Sequence, residues 1–198
     1  MHEAKEFLQR VARSTLADWE TLEATYTLAR MVIQCELPGE FVECGVYAGG
    51  QCAIMAKAIM DAGCVHRKVH LFDSFAGIPL AGPEDSEFIS AGLLAGESCV
   101  SRAQVSGNMT DWGIPDDLLV YHEGLFEDTV PASGIERIAI LRLDGDLYRS
   151  TKVCMEHLYP KVVRGGWCIV DDFNLSGCRQ AVFETVVPAP MYWRVPTK

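Results

Sequence analysis

Four carboxylates close two apolar runs in this chain. Asp144 and Asp146 follow Ile138, Ile140, Leu141 and Leu143, and the adjacent Asp171 and Asp172 follow the apolar stretch over residues 167–170. Short apolar runs bounded by turn residues read as buried strands. In an open α/β sheet the crevice beyond the carboxyl ends of the strands is where ligands bind, so the four acids are expected to share one site. Carboxylates held that close repel one another. A hard divalent cation relieves the repulsion, because it prefers oxygen ligands and is commonly held by carboxylates, water and substrate oxygens.

A second chemistry-bearing stretch lies earlier in the chain. Residues 41–46, FVECGV, read as a short strand that runs into Tyr47-Ala48-Gly49-Gly50, and residues 51–62, rich in alanine, methionine and isoleucine, read as a buried helix. A glycine turn between strand and helix lets backbone N–H groups and a helix N-terminus approach a nucleotide-like ligand. The next strand, residues 68–72, ends at Asp73. An acid at that place is where such folds hydrogen-bond a ribose, and its distance from the turn exceeds the roughly 20 residues typical of dinucleotide folds, which argues against a nicotinamide cofactor.

The remaining elements must bring these pieces together. Residues 3–14 and 17–34 carry helical periodicity, and in the second Leu22, Tyr26, Leu28, Ala29 and Ile33 form an apolar stripe. Between Gly77 and Pro115 the pattern is irregular, and residues 80–100 read as a mobile lid. Ser101 with Gln104 is a capping-box signature that predicts a helix over residues 102–112. A strand over 118–122, the acid-ended strand at 138–143, a helix over 149–159, a turn at Arg164-Gly165-Gly166, the strand at 167–170, a helix over 178–185 and a last strand over 191–195 complete the series. Strands alternating with helices predict a parallel sheet with helices on both faces, the last strand inserting antiparallel at an edge.

Composition narrows the function. With 198 residues, 49% of them hydrophobic, the chain is expected to form a single domain over 1–198, with N-terminal helices over 1–36. A formal charge of −10 without a basic run argues against nucleic acid as a partner and favours a small molecule. Cys52, Cys154 and Cys168 sit inside apolar patterns and read as reduced core thiols. The N-terminus lacks a signal-peptide pattern and no run of 18 apolar residues occurs, so no membrane association and a cytoplasmic location are expected. Excess apolar surface on the 17–34 helix predicts a homodimer.

The segments FVECGVYAGG, LFDSFAGIP, GLFEDTVP, LRLDGDLYRST, HLYPKVVRGGWCIVDDF and GCRQAV stand in the order found in the macrocin O-methyltransferase family. The chain resembles that family from Phe41 to Thr185, and through it the class I methyltransferases that use S-adenosylmethionine. The glycine turn is also similar to that of catechol O-methyltransferase, at Glu43, Gly45, Tyr47 and Gly49. The resemblance implies a Rossmann-like fold with a mostly parallel seven-stranded sheet and an antiparallel edge strand. It implies a Mg²⁺-dependent O-methyltransferase acting on a sugar or other vicinal diol of a natural product, with Mg²⁺ or another divalent cation on Asp144, Asp171 and Asp172. Glu43, Gly45, Tyr47, Gly49 and Asp144 would contact the donor, Asp73 its ribose, Ser74 its ribose or adenine, and Gly124 and Leu125 its adenine. Asp144 and Asp146 would be the catalytic pair, with Asp146 read as the base rather than a fourth ligand, because a carboxylate beside a cation-bound hydroxyl needs little basicity. The chain is short at both ends for the family, so the likeness bears more on the donor site than on the acceptor.

Two rival readings differ in class. A protein that binds S-adenosylmethionine without transferring methyl would not need all four acids. A magnesium-dependent phosphohydrolase of the haloacid-dehalogenase type has a DxD strand end and a later acid pair, but that fold begins with its DxD strand, whereas Asp144 lies late in this chain and Tyr148 replaces the small hydroxyl expected after the second acid. His122 near a strand end and His157 on a helix are further titratable candidates, the second more naturally structural.

Overall fold

The computed structural model describes residues 2–64, 66–92 and 95–186. Two N-terminal helices, α1 (His2–Val11) and α2 (Trp19–Gln34), precede β1 (Glu40–Cys44), α3 (Gly50–Ala62) and β2 (Val69–Asp73). Two helices, α4 (Ser86–Ser90) and α5 (Arg102–Asp111), lead to β3 (Leu119–Glu123), α6 (Phe126–Thr129) and β4 (Ile138–Leu143). The described chain ends with α7 (Tyr148–His157), β5 (Val162–Val170) and α8 (Ser176–Thr185).

The strands lie in the order β3-β2-β1-β4-β5, and every neighbouring pair is parallel. Five strands, not the expected seven, are therefore present among the described residues, and the antiparallel strand expected over 191–195 lies outside them. Successive strand residues point to opposite faces. Phe41, Val69, Leu71 and Ile140 join the core made with α1, α2, α3 and α5, while Val42, Cys44, Phe72, Leu141 and Leu143 join the core made with α7 and α8. The sheet is covered on both sides, which is why its central strands read as continuous apolar runs.

Helix ends follow local chemistry. Asp18 caps α2 by accepting from the Thr21 N–H at 2.7 Å, and Ser101 and Gln104 form the reciprocal capping box at the start of α5. In α2 the fully buried positions are Leu22, Thr25, Ala29 and Val32, which pack that helix on α3, while Tyr26 donates from its hydroxyl to Asp61 at 2.6 Å. The Arg164-Gly165-Gly166 stretch is not a turn before a strand. It lies inside β5, where the pairing slips from Ile138 opposite Val162 to Ile140 opposite Trp167. Gly165, at φ +85°, supplies the backbone geometry that such an irregularity needs. Residues 80–100 are less irregular than their composition suggests, since α4 forms there and buries Phe88.

The order of strands reverses between β1 and β4, the place where open α/β sheets bind ligands. Gly45 makes the junction possible. It follows β1 with φ +93°, its N–H donates to the Phe72 carbonyl at 2.9 Å, and a Cβ there would lie 1.7 Å from the Asp144 carbonyl oxygen. Backbone cannot give way like a side-chain tip. Gly45→Ala is expected to destabilise the chain by at least about 3 kcal/mol, read by urea unfolding; a loss under about 1 kcal/mol would show that the two strand ends are not held at this distance.

Candidate active site

The register of β1 on β4 sets Glu43 opposite Arg142. Arg142 is 1% exposed, and a guanidinium buried that far needs partners on every side. Its Nε donates to Glu43 at 3.2 Å, and its Nη2 donates to Asp144 at 3.2 Å and to Asp171 at 2.7 Å. One buried cation thus ties the end of β1 to the ends of β4 and β5. The Cys52 thiol, from α3, donates to the other Glu43 oxygen at 2.7 Å. Burial, reinforced by that carboxylate, holds the Cys52 thiol well above its ordinary range.

Beyond Arg142 the acids crowd together. Carboxylate oxygens of Asp144, Asp171 and Asp172 all lie within 4.8 Å of one another. Asp146 adopts the left-handed region at φ +61°, rare for a residue with a side chain, and its N–H donates to Asp172 at 2.9 Å. Burial and neighbouring carboxylates push Asp144, Asp146 and Asp172 up to about 7. Glu43 is pushed up to about 8, with burial outweighing the pull of Arg142. Burial works against the charge on Arg142 as well, but the carboxylates of Asp144, Asp171 and Glu43 hold it above the usual guanidinium range.

The acids open into a cavity of about 460 Å³ that the glycine turn also lines. Glu43, Gly45, Tyr47, Asp73, Ser74, Gly124, Leu125, Asp144, Asp146, Asp171 and Asp172 all face it. Of the residues expected in the site, Gly49 alone stands back, packed on Met109 of α5. Asp73 organises the turn: one carboxylate oxygen accepts from Val46 N–H at 2.7 Å and Tyr47 N–H at 3.3 Å, the other from Phe75 N–H at 2.7 Å. Ser74 is engaged locally, its hydroxyl donating to the Gly77 carbonyl at 2.8 Å and accepting from Ala76 N–H at 3.1 Å.

Three residues escaped the sequence reading. Arg142 was visible only as a charge in an apolar strand, and that anomaly was its signal. Gln51, in the first turn of α3, is 4% exposed and lines the cavity, and neither its amide oxygen nor its nitrogen has a hydrogen-bond partner among the described residues. Asp85 is buried, accepts from the Tyr148 N–H at 2.7 Å and from the Gly82 N–H at 2.9 Å, and so pins the 80–100 segment to the start of α7. Glu87 of α4 adds a bond from the Ser176 hydroxyl, and Phe88 lines the cavity. Neither histidine joins the site. His122 stacks on Phe72 with centroids 3.9 Å apart and shares a 2.9 Å hydrogen bond with His70, and His157 is exposed at the end of α7.

The profile of a family described as macrocin-O-methyltransferase (TylF) matches residues 11–186. The chain is 34% identical over 174 residues to the 8-demethyl-8-(2,3-dimethoxy-alpha-L-rhamnosyl)-tetracenomycin-C 4'-O-methyltransferase of Streptomyces olivaceus, covering 86% of this chain and 66% of that relative. It is 38% identical over 154 residues to the mycinamicin III 3''-O-methyltransferase of Micromonospora griseorubida, covering 75% of this chain and 60% of that one. The chain thus spans about two thirds of the length of the curated relatives it matches. Among solved structures, the O-methyltransferase NovP superposes with a TM-score of 0.79 at 36% identity, over 86% of this chain and 72% of that one. The calicheamicin methyltransferase CalS11, at 20% identity and a TM-score of 0.66 over 91% of this chain and 83% of its own, shares the fold.

The crowded acids give a pH dependence with a definite sign. Asp144, Asp146 and Asp172 rise from 3.8 to about 7 and Glu43 from 4.5 to about 8, so the folded state binds more protons than the unfolded state between those limits. Stability of the metal-free chain should therefore increase as pH falls from about 8 towards 5. Urea titrations in EDTA at several pH values test this, and stability that is flat or falling on acidification would contradict the crowding.

Proposed function

Because this chain belongs to the macrocin-O-methyltransferase family, we propose that it moves the methyl group of S-adenosylmethionine to a hydroxyl of a small molecule, a sugar or other vicinal diol of a natural product. The observation that carries this reading is the single cavity in which the glycine turn and four acids meet. The named relatives methylate tetracenomycin-type and mycinamicin compounds at oxygen, which supports the class of acceptor.

On the donor side, the turn offers a backbone surface while Asp73 fixes its shape and has lone pairs left for ribose hydroxyls. Glycine and small residues at Gly124 and Gly45 leave room for a planar base and an amino-acid tail. Gln51 has an amide that both donates and accepts, buried in the wall without a partner, which suits a zwitterionic group such as the donor's amino-acid end. Gly124, Leu125 and Phe88 supply the apolar part of the wall.

Asp144, Asp171 and Asp172 fit a divalent cation: three oxygen donors lie within 4.8 Å of one another, and their mutual repulsion is what such an ion would relieve. When bound, Mg²⁺ or a similar ion supplies a Lewis acid that lowers the pKa of an acceptor hydroxyl. Arg142 keeps two of the three carboxylates in place. Asp146 lies in the same cavity and accepts the acceptor's proton as the oxygen bonds to the methyl carbon and the sulfur–carbon bond breaks. Transfer of this kind depends on alignment, and walls from five strand ends, the Thr15–Ala17 segment and α4 restrict how donor and acceptor can lie. Burial of the pair would also exclude water.

Three variants separate the roles. Asp146→Asn should keep divalent-ion affinity and lower kcat by about 10²–10⁴-fold. Asp172→Ala should lose affinity for Mn²⁺ and recover part of its turnover at high Mg²⁺. Gln51→Ala should weaken S-adenosylhomocysteine binding by about tenfold or more in titration calorimetry, the loss of hydrogen bonds to charged groups. Undiminished methyl transfer in excess EDTA would remove the cation from the reading.

A further inference from the structure

The two helices that follow the acid-bearing strand ends have no caps of their own. The loop after β4 carries Asp144 and Asp146 into α7, and the loop after β5 carries Asp171 and Asp172 into α8. Leucine stands at both N-cap positions, Leu147 for α7 and Leu175 for α8, and neither offers a side-chain acceptor to the first turn. The first N–H groups of a helix have no partner within it and need one from elsewhere.

The acceptors come from residues 82–87, distant in sequence from both helices. Asp85, 4% exposed, accepts at 2.7 Å from the N–H of Tyr148, the first residue of α7 and 63 positions later in the chain. Glu87 accepts at 3.3 Å from the N–H of Ser176, the first residue of α8, and also from the Ser176 hydroxyl. A local turn aims Asp85: its second oxygen accepts from the Gly82 N–H at 2.9 Å, and its own N–H donates to the Gly82 carbonyl at 3.1 Å. Gly177 of α8 leaves room for the carboxylate, since a Cβ there would collide with Asp85 Oδ1 and lie 3.1 Å from Tyr148 Cβ.

The consequence falls on Asp146. It lies two residues before Tyr148, holds φ +61°, and its N–H donates at 2.9 Å to Asp172 of the other loop. A residue with a side chain keeps to that backbone region only where its surroundings fix it there. The Asp85–Tyr148 bond fixes the turn on one side and the Asp172 contact on the other. Asp85 does not line the acid cavity, so its effect on the acids passes through Tyr148 and the loop before it.

We propose that Asp85 is a positioning residue for the acid cluster: it pins the turn that carries Asp146 and, with Glu87, sets the two acid-bearing loops against each other. The candidate cation site is then complete only while residues 82–87 are seated on α7 and α8. Groups that orient a ligating carboxylate without touching the ion commonly change its affinity by roughly 10–100-fold when removed. The inference rests on the methyl-transfer reading for its use, but its test needs no turnover.

Calorimetric titration of the full chain with Mn²⁺, together with amide hydrogen exchange of the metal-free chain by NMR, tests the assignment. Asp85→Ala should weaken Mn²⁺ by roughly tenfold or more although it removes no ligand, and should speed exchange at the Asp146 N–H much more than at Leu141 in the middle of β4. Gly177→Ala keeps Asp85 in the sequence but drives its carboxylate from the helix starts, so it should weaken Mn²⁺ similarly even though alanine favours the helix it enters. Where Asp85→Ala does not fold, Gly177→Ala decides by itself. Wild-type Mn²⁺ affinity in these variants would overturn the assignment. So would equal acceleration at Asp146 and Leu141, which would reduce Asp85 to a cap that only adds stability. An unaltered chain that binds no Mn²⁺ would instead remove the cation from the proposed function, and the exchange comparison would still decide on Asp85.

Discussion

A buried guanidinium is the constraint on which this structure turns. Arg142 cannot sit inside a sheet unless its charge and donors are matched, and the matching groups come from three strands: Glu43 of β1, Asp144 just past β4 and Asp171 just past β5. Removing one partner of a buried pair costs about 3–5 kcal/mol, so a slip of register between β1 and β4 would be penalised by charge as well as by packing. The same pairing aims two of the four strand-end acids into one cavity. What holds the middle of the sheet together also assembles the candidate cation site.

The donor side depends on a second dual-purpose carboxylate. Asp73 spends three acceptor contacts on the backbone of Val46, Tyr47 and Phe75, and so gives the turn after β1 a fixed shape before any ligand arrives. A ribose contact, as proposed, would use the lone pairs that remain. The two halves of the cavity are then joined at one place, where Gly45 lies against the Asp144 carbonyl. Small changes on the donor side have a direct mechanical route to the acids.

Much of this was legible in the sequence because the signals were local. Strands that end in acids, the glycine turn, the Ser101–Gln104 box and the alternation of strand and helix each depend on residues within a few positions. What escaped depends on distant partners. Arg142 needs Glu43, which is 99 positions away, and nothing in IAILRL says whether its charge is buried or turned to water. Gln51 looked like an ordinary helix residue until its buried amide proved to have no hydrogen-bond partner among the described residues. Gly165-Gly166 was read as a turn because glycine pairs punctuate chains, yet the positive φ they allow serves a bulged strand equally well. Asp85 lay in a stretch whose prolines and glycines masked a short helix and a buried cap.

Charge accounts for the way these parts act together. The chain carries a net formal charge of −10, and Asp73, Asp144, Asp146, Asp171 and Asp172 gather at the carboxyl ends of the strands, where their field favours cations. In the proposed reaction both the sulfonium donor and the divalent ion are cations, so the same acids attract both. Transfer turns the sulfonium into a neutral thioether and leaves a proton on Asp146, which conserves the charge of the cavity at the moment the bonds change. Afterwards that proton can leave to solvent, and the acids have lost one cation that they held. Attraction for the donor thus exceeds attraction for its product by the electrostatic energy of one positive charge among those carboxylates, a difference that favours exchange of spent for fresh donor without any movement of the sheet.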